Sequence, residues 1–134
     1  MNASPQPPVA AAVVVKERRV LLVRRRRAEG DLSWQFPAGK VESGESPAEA
    51  AAREAREESG VLVVPFELLG ERTHPMTGRR IFYFGCEAIG GTAHPADTEE
   101  IADIAWATLA EIPQYVPYGL FEPVQRYLDA VLPD

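Results

Sequence analysis

The chain has 134 residues, of which 14 are Lys or Arg and 20 are Asp or Glu, so its formal charge is −6. This length buries one hydrophobic core but does not divide comfortably into two independent domains. The acidic balance argues against a general binder of polymeric nucleic acid, which has to neutralise many phosphates. A small polyanionic ligand would therefore need a local positive patch or metal ions.

The composition also bears on where the protein works. Its single cysteine, Cys86, cannot form an internal disulfide and is expected to be a buried thiol in a reducing compartment. The apolar run from Val9 to Val15 is far shorter than the roughly 20 residues that cross a bilayer. A signal peptide would have a Lys or Arg before its apolar run, and none precedes this one. We therefore expect a cytoplasmic protein without membrane contact.

The residue pattern in the first part of the chain predicts a tail followed by paired strands. Residues 1–8 contain repeated prolines and no apolar periodicity, so we expect a flexible tail ahead of one domain at 9–134. Runs rich in β-branched residues at 9–15 and 20–23 flank a polar tetrapeptide, which is the pattern of a β-hairpin. A polar loop is expected at 26–32. Further extended segments are predicted at 34–37, 61–74, 81–88 and 104–108.

A helix with strong terminal signals is predicted after a loop at 38–45 that contains two glycines. Ser46 is the expected N-cap, with Pro47 at the first helical position. Glu49 lies three residues after the cap and completes a capping box. Gly60 is expected to end the helix as a C-cap glycine.

The last predicted element is an amphipathic helix at 121–132. Val124, Leu128 and Leu132 recur at i, i+4 and i+8, which is the spacing of one helical face. The predicted order is β, β, β, α, β, β, β, α. This order favours an α/β fold of the mixed α+β type, with helices packed on a mixed central sheet.

The first helix carries an unusual acidic side. At about 100° per residue, small side chains are expected on one side and carboxylates on the other, namely Ala48, Ala52 and Ala55 against Glu54, Glu57 and Glu58. Like charges at this spacing repel by a few tenths of a kcal/mol per pair, so something should compensate for them. One interpretation is a solvated surface helix with i, i+4 ion pairs through Arg53. The other is a magnesium site, because Mg²⁺ prefers carboxylate oxygens together with substrate phosphates.

The residues around this helix resemble the Nudix box, which is a glycine, five residues, a glutamate, seven residues and then Arg-Glu-x-x-Glu-Glu-x-Gly. All of its fixed positions are filled, by Gly39, Glu45, Arg53, Glu54, Glu57, Glu58 and Gly60. Ala55 stands where a larger aliphatic residue is more usual, and Val61 fills a further apolar position. The match favours the metal-site interpretation. It implies a Nudix-type α/β/α sandwich and a hydrolase that acts on phosphoric anhydride bonds.

The resemblance implies roles for individual residues of the box. Glu54, Glu57 and Glu58 are expected to bind Mg²⁺, with Mn²⁺ as a substitute, and the backbone carbonyl of Ala38 is expected as a further ligand. Arg53 is expected to orient these glutamates through ion pairs. The implied chemistry is metal-assisted attack of water on a phosphorus atom.

Other residues are expected to support this chemistry. The resemblance gives Glu45 the role of steadying the loop against the helix. It makes Gly39 and Gly60 positions where a side chain would obstruct the backbone. Family members often take a general base, or another metal ligand, from a loop after the box. Glu99 and Glu100 are the candidates in this chain, and Glu100 is preferred.

Substrate contacts are predicted from basic residues near the box. The run Arg24–Arg27 follows the second predicted strand and is opposite in sign to the rest of the chain. It is either an exposed strand end that aids solubility or a phosphate-binding element. Strand alternation places Arg24 and Arg26 on the side of Leu22, so we expect at least one of them, with Arg24 as the candidate, to reach the cleft. Lys40 is a second candidate for phosphate contact.

The resemblance is closest to the MutT-like branch of the family. Trp34–Glu42 matches that branch's approach to the box, and Glu122–Val124 resembles the start of its last helix. The oxidised-guanine sanitiser of this branch has an asparagine immediately before that helix, where this chain has Phe121. A phenylalanine stacks on a base but cannot read its hydrogen-bonding edge. Phe121 is therefore either a stacking residue or a core aromatic, and specificity for oxidised guanine does not follow.

Three functions remain open at this point. The leading hypothesis is hydrolysis of a standard or modified nucleoside triphosphate to a nucleoside monophosphate and pyrophosphate. The nearest alternative is hydrolysis of a nucleotide sugar such as ADP-ribose, although the extra Gly- or Pro-rich signatures usual in that branch are not evident. The third is a non-catalytic nucleotide-sensing module, which loss of a box glutamate would favour, and none is lost. The expected partner is a small nucleotide, and the chain is expected to be a monomer or a homodimer.

Overall fold

The computed structural model of the protein describes residues 6–26, 32–75 and 77–132. In chain order the elements are β1 (Val9–Lys16), β2 (Arg19–Arg26), β3 (Leu32–Gln35), β4 (Ala38–Lys40), α1 (Pro47–Ser59), β5 (Leu62–Thr73), β6 (Arg80–Gly90), β7 (Ile101–Ala107), α2 (Ile112–Tyr115) and α3 (Glu122–Val131). Most of the predicted loop at 26–32 lies outside the described residues, as do the first five residues of the predicted tail. The short elements β4 and α2 were not predicted.

The described strands form one seven-stranded mixed sheet. Its main path runs β3-β2-β1-β6-β5, while β4 pairs with β1 and β7 pairs with β2. The central pair β1 and β6 is parallel, and the other described pairs are antiparallel. The predicted mixed sheet is confirmed.

The predicted hairpin at the start of the domain is also confirmed. β1 and β2 pair through Val15 with Val20 and Lys16 with Arg19. Between them Glu17 and Arg18 have φ values of 52° and 63°. Positive φ at both central residues is typical of a two-residue type I′ turn, whose twist matches that of the flanking strands.

The sheet is covered by a helix on each face. Successive side chains of a strand point to opposite faces. Ala11 and Val13 of β1 pack into one core with residues of α3. Ala10 and Ala12 of the same strand pack into a second core with residues of α1. These two sides are called the α3 face and the α1 face below, and together they confirm the predicted α/β/α sandwich.

The terminal signals of α1 act as predicted. The Ser46 side chain accepts a hydrogen bond from the Glu49 backbone N–H at 3.1 Å, and the Ser46 N–H donates to Glu49 Oε1 at 2.8 Å. At the other end Gly60 has a φ of 75° and donates its N–H to the Arg56 carbonyl. A left-handed conformation at this position favours glycine because a Cβ would be strained.

The buried side of α1 differs from the prediction. Its buried alanines are Ala50, Ala51 and Ala55, whereas Ala48 and Ala52 are partly exposed. Glu58 lies on the same side as Ala51 and Ala55 and is only 2% exposed. The expected division into a small face and a separate acidic face is therefore wrong. Glu58 has an arginine and a backbone N–H as partners in the interior, which makes its burial tolerable.

Pro7 and Pro8, which lie just before β1, are hydrogen-bonded to the rest of the domain. The Pro8 carbonyl accepts a hydrogen bond from the Val41 N–H at 2.9 Å, and the Pro7 carbonyl accepts one from Arg79 Nη2 at 2.7 Å. Within the described ranges, no helix is both long enough and apolar enough to span a bilayer.

Candidate active site

The site begins where β4 touches α1. The Ala38 N–H donates to Glu58 Oε1 at 3.3 Å, and the Lys40 carbonyl accepts from Arg53 Nη2 at 2.9 Å. Between these residues, a Cβ on Gly39 would collide with the Glu54 carboxylate. Glycine at this position thus lets the backbone of β4 approach the glutamates of the helix directly.

Arg53 is the centre of an ion-pair network. Its Nε and Nη2 donate to the two carboxylate oxygens of Glu45 at 2.8 and 3.0 Å, which is a bidentate arrangement. Its Nη1 donates to Glu54 at 3.1 Å and to Glu57 at 2.9 Å. The hydrogen bond from Arg53 lowers the pKa of Glu45, and the same bond raises the pKa of Arg53. Arg53 therefore holds the loop glutamate and two helix glutamates in one fixed arrangement.

Glu58 is paired with an arginine that the sequence analysis did not select. Arg25 Nη2 donates to Glu58 Oε2 at 2.6 Å and to the Ala38 carbonyl at 3.1 Å. Burial raises the pKa of Glu58 to about 7, and the charge of Arg25 opposes that rise. Arg25 thus supplies the counter-charge for a carboxylate that has almost no contact with water.

The carboxylates have the chemistry to bind a divalent ion, although their present arrangement is not that of a complete coordination shell. Burial raises the pKa of Glu54, while Glu57 is about half exposed. In the described part of the chain, no three His, Cys, Asp or Glu side chains converge as metal ligands, since Arg53 and Arg25 hold the glutamates. Carboxylate oxygens beside a backbone carbonyl, that of Ala38, are nevertheless the donor set that Mg²⁺ prefers. Like charges crowded into a partly buried site favour a bound cation.

The loop before β7 brings one more carboxylate to this cluster. Glu100 Oε2 lies 3.4 Å from Arg25 Nη1, and the Glu100 side chain is 60% exposed. The loop is attached to the end of α1, because the Ala96 N–H donates to the Glu58 carbonyl. The structure thus places Glu100 near Glu58 through their shared partner Arg25. Glu99 is exposed, and its described hydrogen bond runs from its backbone N–H to Asp97.

A cavity opens on the α3 face next to the carboxylates. Its volume is about 240 Å³, which is below the range of roughly 300–1,000 Å³ for pockets that enclose a whole ligand. A cavity of this volume admits part of a ligand rather than a whole one. The walls are formed by Val9, Ala11, Leu22, Ser33, Trp34, Gln35, Phe36, Ala38, Arg72, His74, Ile81, Tyr83, Val116, Tyr118, Gly119, Leu120 and Phe121. Ala38 belongs to both regions, because it lines the cavity while its backbone binds Arg25 and Glu58.

One wall of the cavity is a stack of an arginine with aromatic rings. The Arg72 guanidinium lies 4.8 Å from the centre of the Phe121 ring and 5.7 Å from that of Tyr83. Arg72 Nε and Nη2 both donate to the Tyr83 hydroxyl, at 3.3 and 3.1 Å. Trp34, on another wall, makes an edge-on contact with Tyr115, with the ring centres 4.9 Å apart.

The predicted substrate residues have different surroundings. Arg24 lies 5.9 Å from the centre of the Trp34 ring, on the cavity side of the sheet. Lys40 is exposed, and its described hydrogen bond uses only its backbone carbonyl. Phe121 is half-buried in the cavity wall. The sequence analysis missed Arg25 and Arg72. Arg25 belongs to the basic run that was considered for phosphate binding. Strand alternation placed its neighbours Arg24 and Arg26 on the side of Leu22, so they were preferred as candidates.

Known proteins resemble the chain in sequence and in structure. A model of the NUDIX domain matches residues 5–128. An 8-oxo-(d)GTP phosphatase of Mycolicibacterium smegmatis is 36% identical over 75 residues, which are 54% of this chain and 23% of that protein. The NAD-capped RNA hydrolase NudC of Pseudomonas aeruginosa is 37% identical over 76 residues, which are 57% and 27%. A NUDIX hydrolase from Nitrosomonas europaea superposes with a TM-score of 0.78, at 24% identity, over 96% of this chain and 91% of that one.

The chain belongs to the NUDIX domain family, because the family model covers nearly all of it. The resemblance to the MutT-like branch also has support, since a putative mutator protein MutT4 of Mycobacterium tuberculosis is 30% identical over 96 residues, which are 67% of this chain and 38% of that protein. The similarity to the solved structure concerns the fold alone. The chain spans about a quarter of the length of the two curated relatives described above.

Proposed function

We propose that the protein is a magnesium-dependent pyrophosphohydrolase that converts a nucleoside triphosphate to a nucleoside monophosphate and pyrophosphate. The observation that carries this proposal is the position of the carboxylates of Glu54 and Glu58. They lie beside the backbone of β4 and its Ala38 carbonyl, at the edge of a cavity of the size of a base. A nucleotide whose base enters that cavity would extend its phosphates towards α1.

Some residues of the site would bind the metal ion, and others orient the side chains that bind it. Glu54, Glu57 and Glu58 would hold Mg²⁺, with Mn²⁺ as a substitute and the Ala38 carbonyl as a further ligand. Bound Mg²⁺ supplies neutralisation of the diphosphate and a more acidic water. Arg53 fixes the directions of Glu54 and Glu57. Arg25 pairs with Glu58 and approaches Glu100, and its guanidinium would be a donor for an anionic phosphate beside them.

Glu100 is the proposed general base. It is mostly exposed, so it remains accessible to water, and it projects from a loop at the edge of the carboxylate cluster. A carboxylate in this position would accept the proton of the attacking water while the helix glutamates remain on the metal. Arg24 and Lys40 are the further candidates for phosphate contact, and Phe121 is the candidate for contact with the base.

The proposal is tested with the purified chain, MgCl₂ and a panel of nucleoside triphosphates, ADP-ribose and NAD⁺. We expect release of pyrophosphate from at least one triphosphate, and loss of that release on removal of the metal with EDTA. Glu57→Gln and Glu58→Gln should each lower turnover by orders of magnitude, because a neutral amide is a poor ligand for a hard cation. The matched control is Glu49→Gln on the same helix, which keeps the capping box and lies at the opposite end from Glu58.

The outcomes separate the three functional classes. Turnover of ADP-ribose without turnover of any triphosphate would support the nucleotide-sugar alternative. Binding of nucleotides without turnover, unchanged in Glu57→Gln and Glu58→Gln, would support a sensing module. A decrease in Glu100→Gln but not in Glu99→Gln would support Glu100 as the base, since the two neighbours differ in their distance from Arg25.

A further inference from the structure

The charge on the described lining of the cavity is cationic rather than acidic. No Asp or Glu is present among the described residues that line it, and its permanently charged side chain is Arg72. A second cation, Arg24, lies 5.9 Å from the centre of the ring of Trp34, which lines the cavity. An arginine donates hydrogen bonds and cannot accept them. The cavity therefore favours the edge of a ligand that presents acceptors.

Arg72 is held in a way that leaves part of its guanidinium available. A guanidinium carries five N–H donors in one plane. Tyr83 takes one hydrogen from Nε and one from Nη2, so the outer hydrogens of Nη1 and Nη2 form a fork directed away from Tyr83. The guanidinium carbon also lies 4.8 Å from the centre of the Phe121 ring, which covers one side of it. Arg72, which lines the cavity, therefore keeps a pair of N–H donors that Tyr83 does not use.

We propose that Arg72 is the specificity-determining residue of this cavity and selects guanine over adenine. This inference rests on the proposed function for the reaction and deepens it by naming the base. Guanine presents O6 and N7 as adjacent acceptors, which an arginine fork binds in a bidentate way. Adenine presents N7 beside an amino donor, which would face a donor of Arg72.

The same geometry distinguishes guanine from its oxidised form. Oxidation at C8 places a hydrogen on N7, so the adjacent pair becomes one acceptor and one donor. The fork of Arg72 then loses one of its two hydrogen bonds and opposes a donor instead. No carboxylate among the described lining residues is present to accept that new hydrogen. The contact with Arg72 therefore favours unmodified guanine over 8-oxoguanine.

The test measures base selectivity without requiring turnover. Trp34 lines the cavity, so its fluorescence in a Trp106→Phe background reports occupancy. The protein is titrated without divalent metal with dGMP, dAMP, 7-deaza-dGMP, which lacks the N7 acceptor, and 8-oxo-dGMP. We expect dGMP to bind roughly tenfold to a hundredfold more tightly than the other three, the range for one bidentate contact. In Arg72→Met, dGMP should bind no better than dAMP.

Arg80→Met is the matched control for this variant. Arg80 also lies over an aromatic ring, at 5.7 Å from Phe82, and also has a partner, Glu71. It is 61% exposed and does not line the cavity, so the preference for dGMP should persist. Circular dichroism and urea unfolding establish that Arg72→Met is folded. A lower affinity for all four ligands in equal proportion would indicate a merely structural role for Arg72 and overturn the proposal.

The remaining outcomes also decide the question. Equal affinity of the unaltered protein for dGMP and dAMP, no binding of any of the four, or a preference for dGMP that survives in Arg72→Met would each overturn the inference. Selective binding of dGMP through Arg72 with no hydrolysis of any triphosphate would overturn the proposed function alone. Hydrolysis of all triphosphates at equal efficiency would overturn the inference alone.

Discussion

At the scale of single residues, the pair of Arg25 and Glu58 links three parts of the site. Arg25 reaches from β2 to the Ala38 carbonyl on β4 and to Glu58 on α1, and it also approaches Glu100. Breaking a buried ion pair by removing one partner is more costly than never having the pair, since a buried charge is left without compensation. The stability of the chain should therefore be sensitive to Arg25.

Arg25→Met is expected to lower the free energy of unfolding by roughly 3 kcal/mol in buffer with EDTA. The cause is the loss of the counter-charge of Glu58, whose side chain is only 3% exposed. Urea unfolding followed by circular dichroism measures the change. Arg26→Met is the control, because Arg26 is an exposed neighbour with a single side-chain hydrogen bond to the Thr98 carbonyl. Equal stability of the two variants would contradict the expected role of Arg25.

Some residues of the site were predictable from the sequence and others were not. The glutamates of the box and Arg53 were identifiable because their spacing is local and periodic. Arg25 is one of four consecutive arginines, and only the position of α1 determines which of them meets Glu58. Arg72 gave no signal, since its partners Tyr83 and Phe121 come from other elements of the chain. Contacts between distant segments are absent from any pattern of local spacing.

At the scale of elements, α1 depends on its N-terminal cap. Ser46 and Glu49 exchange reciprocal hydrogen bonds that satisfy two backbone N–H groups at the start of the helix. The helix also carries Arg53 and the glutamates Glu54, Glu57 and Glu58, so fraying of its first turns would disturb the network around Arg53.

Ser46→Ala should lower the free energy of unfolding by about 1 kcal/mol, the usual contribution of a serine cap. The loss follows from the unsatisfied Glu49 N–H at the start of α1. Chemical denaturation at equilibrium measures it. Ser43→Ala in the exposed turn before the helix is the comparison and should change stability by less than about 0.5 kcal/mol. If both substitutions have the same effect, the capping box does not stabilise α1.

The longer elements were predictable because each one carries its own signal. The hairpin, both long helices and the strands β5, β6 and β7 followed from β-branched runs, caps and periodicity. β4 and α2 were missed because they contain only three and four residues, too few to show a period. The orientation of α1 was wrong because helical spacing cannot reveal that Glu58 has a partner inside the fold.

At the scale of the whole molecule, one thiol reports on global unfolding. Cys86 is the single cysteine of the sequence, is 1% exposed and lies in the core of the α1 face. Burial raises the pKa of its thiol to about 12. The reactive thiolate is therefore scarce near neutral pH, in addition to being inaccessible.

The native protein should not react with a thiol reagent such as 5,5′-dithiobis(2-nitrobenzoic acid) at pH 8. Reaction should appear over the same range of urea concentrations as the loss of circular dichroism, because the core must open before Cys86 is exposed. Absorbance of the released thionitrobenzoate measures the rate, and the Cys86→Ser variant gives the background. Rapid stoichiometric labelling without urea would show that the core opens locally around β6.

The double role of Ala38 has a consequence for how such a protein diversifies. Its side chain belongs to the wall on the α3 face, and its peptide groups belong to the carboxylate cluster. Apart from this shared residue, the cavity is lined by strands of the sheet and the segment before α3, whereas the carboxylate cluster is formed by α1 and the segments that contact it. Substitutions in the lining can therefore reshape the cavity while the carboxylates of α1 keep their partners.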